Sequence, residues 1–173
     1  EIGLRALALS LSELNLEMLE LLLKNGADIN IPQIRGEKKE YLLASLDLFS
    51  IPDGAEETFL SMIKMLVESG ADINVQNSSG YTPLISASAS MPDVAIYFLD
   101  EGADPNAQTA TTKGTALGRA CAFCNVELIK KLIQKGADVN AVDDRGNPMW
   151  ANLSCSNEET ACVISLLVDA GAD

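Results

Sequence analysis

The chain has 173 residues, 47% apolar and 21% charged, with a net charge of −13 at pH 7 and no histidine. That length suits one domain or one run of small repeats, and the apolar content excludes a disordered chain. The missing histidine removes every Ser–His–Asp triad, Cys–His pair and HExxH zinc site, and an acidic surface makes nucleic acid and membrane surfaces poor partners.

No apolar run is long enough to cross a bilayer. The opening at Glu1 lacks a basic segment followed by an apolar one, so no signal peptide is read there. The expectation is a piece of a longer chain.

In chain order, Gly-Ala-Asp recurs at Gly26, Gly70, Gly102, Gly136 and Gly171, at intervals of 44, 32, 34 and 35 residues. Four of the five strings run on to an asparagine: Asn30, Asn74, Asn106 and Asn140. Four positions before each glycine are apolar throughout. They are Met18, Leu19, Leu22 and Leu23; Met62, Ile63, Leu66 and Val67; Val94, Ala95, Phe98 and Leu99; Leu128, Ile129, Leu132 and Ile133; and Val163, Ile164, Leu167 and Val168. Spacing of i, i+1, i+4, i+5 makes one stripe of an α-helix, and a glycine just past it ends the helix in a left-handed residue. Each unit therefore closes with a helix of about three turns. An earlier helix has its own start: Thr82 caps it and Pro83 fills its first turn, and Thr115 repeats the cap. Small residues follow (Ser86 to Ser88, Ala120 to Ala122), so helices can approach closely.

The units run 1–30, 31–74, 75–106, 107–140 and 141–173. The first is expected to open partway through its first helix. The second carries an insertion near 47–58, after a degenerate helix start around Tyr41–Ala44. The fifth reads Gly146-Asn147-Pro148-Met149-Trp150, without a threonine cap, and no polar capping unit follows it.

These features resemble the ankyrin repeat: a Gly-x-Thr-Pro-Leu start, paired helices and a Gly-Ala-Asp-x-Asn end, met best over 80–106, well over 114–140 and loosely elsewhere. The resemblance implies an all-α solenoid of stacked helix-turn-helix units joined by β-hairpin-like loops. It also implies a non-enzymatic, cofactor-free, monomeric module that binds another protein through a concave surface, within a larger cytoplasmic protein. The family's histidine after Thr-Pro-Leu is replaced by Ile85, Gly118 and Trp150, so a hydrogen bond knitting neighbouring repeats is expected to be lost. Gly114, directly before Thr115, suggests one extra residue in the preceding hairpin. Three rival roles remain open: a spacer for a catalytic or membrane domain elsewhere in the chain, a bacterial effector binding a host protein in host cytosol, and a hydroxylase substrate at Asn74, Asn106 or Asn140.

Carried over position by position, the resemblance nominates Ser78, Ser79, Tyr81, Ala89 and Ser90 in the third unit. It nominates Thr111, Thr112, Gly114, Ala122 and Phe123 in the fourth, and Asp144, Arg145 and Asn147 in the fifth. Tyr81 and Phe123 suit the aromatic anchors of interfaces, or cap their own core; Trp150 reads as packing. Without the Gly-Ala-Asp aspartates, which read as turn groups, 20 acidic residues still face 12 basic ones, favouring a basic partner segment. In the insertion, Leu48, Phe49 and Ile51 beside Pro52-Asp53-Gly54 either fold back on the stack or engage a partner.

The cysteines are Cys121, Cys124, Cys155 and Cys162. Four thiolates can hold zinc, but these gaps match no usual zinc spacing, and buried small hydrophobes account for at least two of them. Free thiols in a reducing cytosol are expected, with no metal, and neither a redox pair nor a catalytic or phosphate-binding motif is read.

Overall fold

A computed structural model describes residues 2–35, 38–44, 51–151 and 153–172. Eight α-helices stand among them: α1 (Ile2–Ser12), α2 (Leu16–Lys24), α3 (Glu56–Glu68), α4 (Pro83–Ala87), α5 (Pro92–Asp100), α6 (Ala116–Ala122), α7 (Val126–Gln134) and α8 (Asn157–Asp169). At the start of the second unit, β1 (Gln33–Arg35) pairs antiparallel with β2 (Lys38–Glu40), with Ile34 opposite Lys39.

The closing helices α2, α3, α5, α7 and α8 pack in one row, each on the next. The opening helices α1, α4 and α6 pack on the closing helix of their own unit, and α4 also touches α6. Thr82 and Thr115 cap α4 and α6 as their sequence context predicts: each hydroxyl accepts from the amide three residues on, at 3.2 Å from Ile85 and 3.1 Å from Gly118.

The apolar stripe of each closing helix has two edges, one for each neighbour. In α5 all four stripe positions, Val94, Ala95, Phe98 and Leu99, are buried. In α8, Val163 and Leu167 face the preceding unit and are buried, whereas Ile164 and Val168 lie 43% and 59% exposed. At α2, where α1 and α3 are the neighbours, Leu19 is buried and Met18, Leu22 and Leu23 are half-covered. The amphipathic pattern alone makes the helix; a neighbour on each side makes its stripe a core.

Helix-turn-helix does not hold in every unit. Among the described residues, the second unit has only a short helical turn at Leu43–Ala44 where its opening helix was expected. In the fifth unit, Pro148–Ala151 form a turn and Leu153–Cys155 are irregular up to the Ser156 cap of α8. Pro148 occupies the slot of the threonine cap, so no hydroxyl is present to nucleate a helix there. The first unit carries an 11-residue α1, longer than α4 or α6.

Beside the positions where the family's histidine is replaced, other side chains bond one unit to the next. One position beyond the missing histidine, Ser86 Oγ donates to the Ala44 carbonyl at 3.0 Å and Arg119 Nη1 donates to the Ile85 carbonyl at 3.2 Å. Both bonds join one unit to the unit before it. Glycine at the neighbouring position 118 has its own cause, since a Cβ there would lie 3.1 Å from the Met149 Cβ and sulfur.

Candidate partner-binding surface

The tips of the connecting hairpins are built by side chains that imitate a turn. Asn77 Oδ1 accepts from the amides of Ser79 and Tyr81, both at 3.0 Å, and the Asn77 amide donates to the Tyr81 carbonyl. Asp143 repeats this in the fifth unit, accepting from Arg145 at 2.9 Å and Asn147 at 2.8 Å. These bonds, chiefly those from Asn147, hold the Asp143 carboxyl below its usual pKa. In the fourth unit Thr109 takes the role: its hydroxyl accepts from the Gly114 amide at 2.8 Å and meets the Thr112 hydroxyl at 3.0 Å. That turn closes over five residues rather than four, which accommodates the extra residue before Gly114, and Lys113 adopts a left-handed φ of 54°.

Neighbouring tips are bonded to one another through the backbone. The Ala110 amide donates to the Ser79 carbonyl at 2.9 Å, and the Asp144 amide donates to the Thr112 carbonyl at 3.3 Å. Ser79 thus stands beside Ala110, and Thr112 beside Asp144, linking the tips of three units. Ser78, Thr111, Thr112, Asp144, Arg145 and Asn147 are exposed along this row, and Ser79 and Gly114 are half-buried. Gly80 permits the close approach: its φ is 79°, and a Cβ would fall 2.5 Å from the Ala110 nitrogen.

Beneath the tips, Tyr81 is half-buried against the core, with the Arg119 guanidinium 5.1 Å from its ring centre. An arginine among the small residues of α6, next to the vacant histidine slot, was the available signal for this contact, and spacing rules passed over it. Ala89 and Ala122 are half-buried and Ser90 is exposed at the far ends of the opening helices. Phe123, which closes α6, is 63% exposed. Trp150 packs against the core with its indole N–H buried and lacking a hydrogen-bond partner among the described residues. Phe49 and Leu48 lie outside the described residues; Ile51, within the insertion, packs on the core, and α3 takes up residues from Glu56 onward.

Just before each tip in the chain, the Gly-Ala-Asp-x-Asn turns form a ladder. Within a turn the aspartate accepts from the asparagine amide, as Asp104 does from Asn106 at 2.9 Å. The asparagine then reaches the next unit: Asn106 Oδ1 accepts from the Asp138 amide at 2.8 Å and Nδ2 donates to the Gly136 carbonyl at 3.0 Å. Asn30 bonds Asp72 and Gly70 in the same way, Asn74 accepts from Asp104, and Asn140 donates to Gly171. Asn74, Asn106 and Asn140 are therefore inter-unit fasteners, a role their position in a turn did not disclose.

The cysteines depart from expectation. Cys124 and Cys155 form a disulfide between the fourth and fifth units, with Cα atoms 5.6 Å apart. Of the four, only Cys121 is buried, and burial pushes its thiol up to about 12; Cys162 is exposed. Stacking brings Cys155 of the fifth unit against Cys124 of the fourth. Among the described residues, no cluster of Cys, Asp or Glu could hold a metal ion, and no helix is long and apolar enough to cross a membrane.

Residues 54–143 match the family model for ankyrin repeats (three copies). A human relative, Ankyrin repeat and SOCS box protein 9, is 42% identical over 60 residues, covering 35% of this chain and 19% of that protein. The match thus spans about a fifth of the relative's length. Five phased units, and a family match over more than half of the sequence, make this chain a member of the ankyrin-repeat family, whose repeats are generally protein–protein interaction modules.

Proposed function

We propose that this chain is a protein-binding module that presents the tip row and the exposed Phe123 to a basic segment of a partner. The observation carrying this reading is the backbone bonding of one tip to the next, Ser79 to Ala110 and Thr112 to Asp144. Tips fixed before binding lose little conformational entropy on binding, which leaves more of the contact energy as affinity. Phe123 supplies an apolar anchor at the foot of the row. The charge of −13 favours a partner rich in Lys and Arg, with association that weakens as salt rises.

A peptide library displayed on phage and panned on the chain tests this. A second selection uses the chain carrying Phe123→Ala, Asp144→Ala and Asn147→Ala, after its helical circular dichroism is matched. Enrichment of basic, salt-sensitive peptides on the first chain and their loss on the second support the reading. Peptides retained equally by both place recognition elsewhere, for example on the insertion. No enrichment on either favours a spacer within a longer protein.

A further inference from the structure

We infer that Cys124 and Cys155 form a thiol-responsive modification site: a low-molecular-weight disulfide such as oxidised glutathione closes it, and thiols reopen it. Closure secures the opening segment of the fifth unit. The first, third and fourth units each carry an opening helix, α1, α4 or α6, packed on the closing helix of the same unit, and α4 also packs on α6. In the fifth unit that helix is replaced by a turn at Pro148–Ala151 and irregular backbone at Leu153–Cys155. The disulfide spans the gap this leaves, crossing 31 residues to the end of α6. Cys155 Sγ also lies 3.9 Å from the Cys121 carbonyl, so the pair is seated on the fourth unit.

The backbone at Cys124 is the second observation. Its φ is 58°, a left-handed conformation costly for a residue with a Cβ. Leu14 holds the corresponding turn of the first unit at 53°, so the turn itself imposes the conformation and the disulfide does not. Cys124 directly follows the exposed Phe123, so opening and closing act beside the apolar anchor. Both paired cysteines are half-buried, within reach of a small thiol, while Cys121 is enclosed.

The exchange balances. One thiolate of the pair attacks oxidised glutathione, forming a mixed disulfide and releasing one glutathione thiol. The second cysteine attacks the protein sulfur of that mixed disulfide and releases the other glutathione. Two protein thiols are oxidised, one glutathione disulfide is reduced, and the reverse sequence restores the thiols.

The inference stands apart from the binding reading, because its readouts involve no partner. The chain is equilibrated with oxidised glutathione or with a strong thiol reductant, then unfolded and alkylated for intact mass and peptide mapping. Hydrogen exchange is measured in parallel on the folded chain. Oxidation is expected to leave two alkylated cysteines, Cys121 and Cys162, and to link the peptides holding Cys124 and Cys155. Reduction is expected to leave four, and to speed amide exchange at Met149 and Ala151, which donate to the Ala141 and Pro148 carbonyls in the opening segment, by roughly 30-fold or more while α5 is unchanged. Cys155→Ser, and independently Cys124→Gly, which suits the left-handed turn, are expected to fold and to exchange alike in both conditions. Four alkylated cysteines after oxidation, a linkage through Cys162, or a closed pair with unchanged exchange would each overturn the inference. So would the same redox response in the two variants.

Discussion

Gly80 and Gly146 occupy the same hairpin position, with φ values of 79° and 82°, yet their surroundings differ. Alanine at either site incurs the left-handed Cβ penalty of about 1–2 kcal/mol. At Gly146 a Cβ meets nothing within 4 Å, so the cost ends there. At Gly80 it lies 2.5 Å from the Ala110 nitrogen and 3.1 Å from the Thr109 carbonyl carbon and Cα, all backbone atoms of the next tip. The tips must then separate, with a packing cost of about 1–3 kcal/mol and loss of the Ala110–Ser79 hydrogen bond at about 1 kcal/mol. Gly80→Ala is therefore expected to destabilise by about 3–6 kcal/mol and Gly146→Ala by about 1–2 kcal/mol. Urea midpoints followed by helical circular dichroism give both values under one condition. Equal losses, or a larger loss at Gly146, would refute the claim that backbone contact between tips, rather than the local turn, sets the cost.

Other expectations use the same comparison of equivalent positions. Ile129→Ala, at a fully buried stripe edge, is expected to cost about 2–5 kcal/mol, whereas Ile164→Ala at the exposed edge of α8 should cost well under half as much; melting curves decide. Asn106→Ala removes two bonds to the next unit and is expected to cost about 1–2 kcal/mol, with faster amide exchange at Asp138. Asp100 bonds Lys131 at 2.7 Å and Lys135 at 3.1 Å, and these bonds, foremost that of Lys131, lower its pKa. A depressed carboxylate stabilises above its unfolded pKa and loses that contribution as pH falls through its folded value. Asp100→Asn should accordingly flatten the melting temperature's fall below about pH 4, leaving the curve's shape above it unaltered.

The sequence by itself determined whatever depends on neighbours along the chain. The stripe before each glycine, the Thr82 and Thr115 caps and the phase of the five units follow from helix period and capping, which act within a few residues. The fifth unit departed because Pro148 stands where a cap was needed, and among the described residues the second unit's start shows only a short turn at Leu42–Ala44. Tertiary structure decided the rest, since stacking brings together residues about one repeat apart. Ile129 and Ile164 share an offset, and only the neighbour beyond α7 buries the first. Gly80 and Gly146 share a turn, and only one faces another backbone. Cys124 bonds Cys155 rather than Cys121, three residues away, because those three residues carry the chain around the end of α6, whereas stacking returns the chain to the same place one unit later.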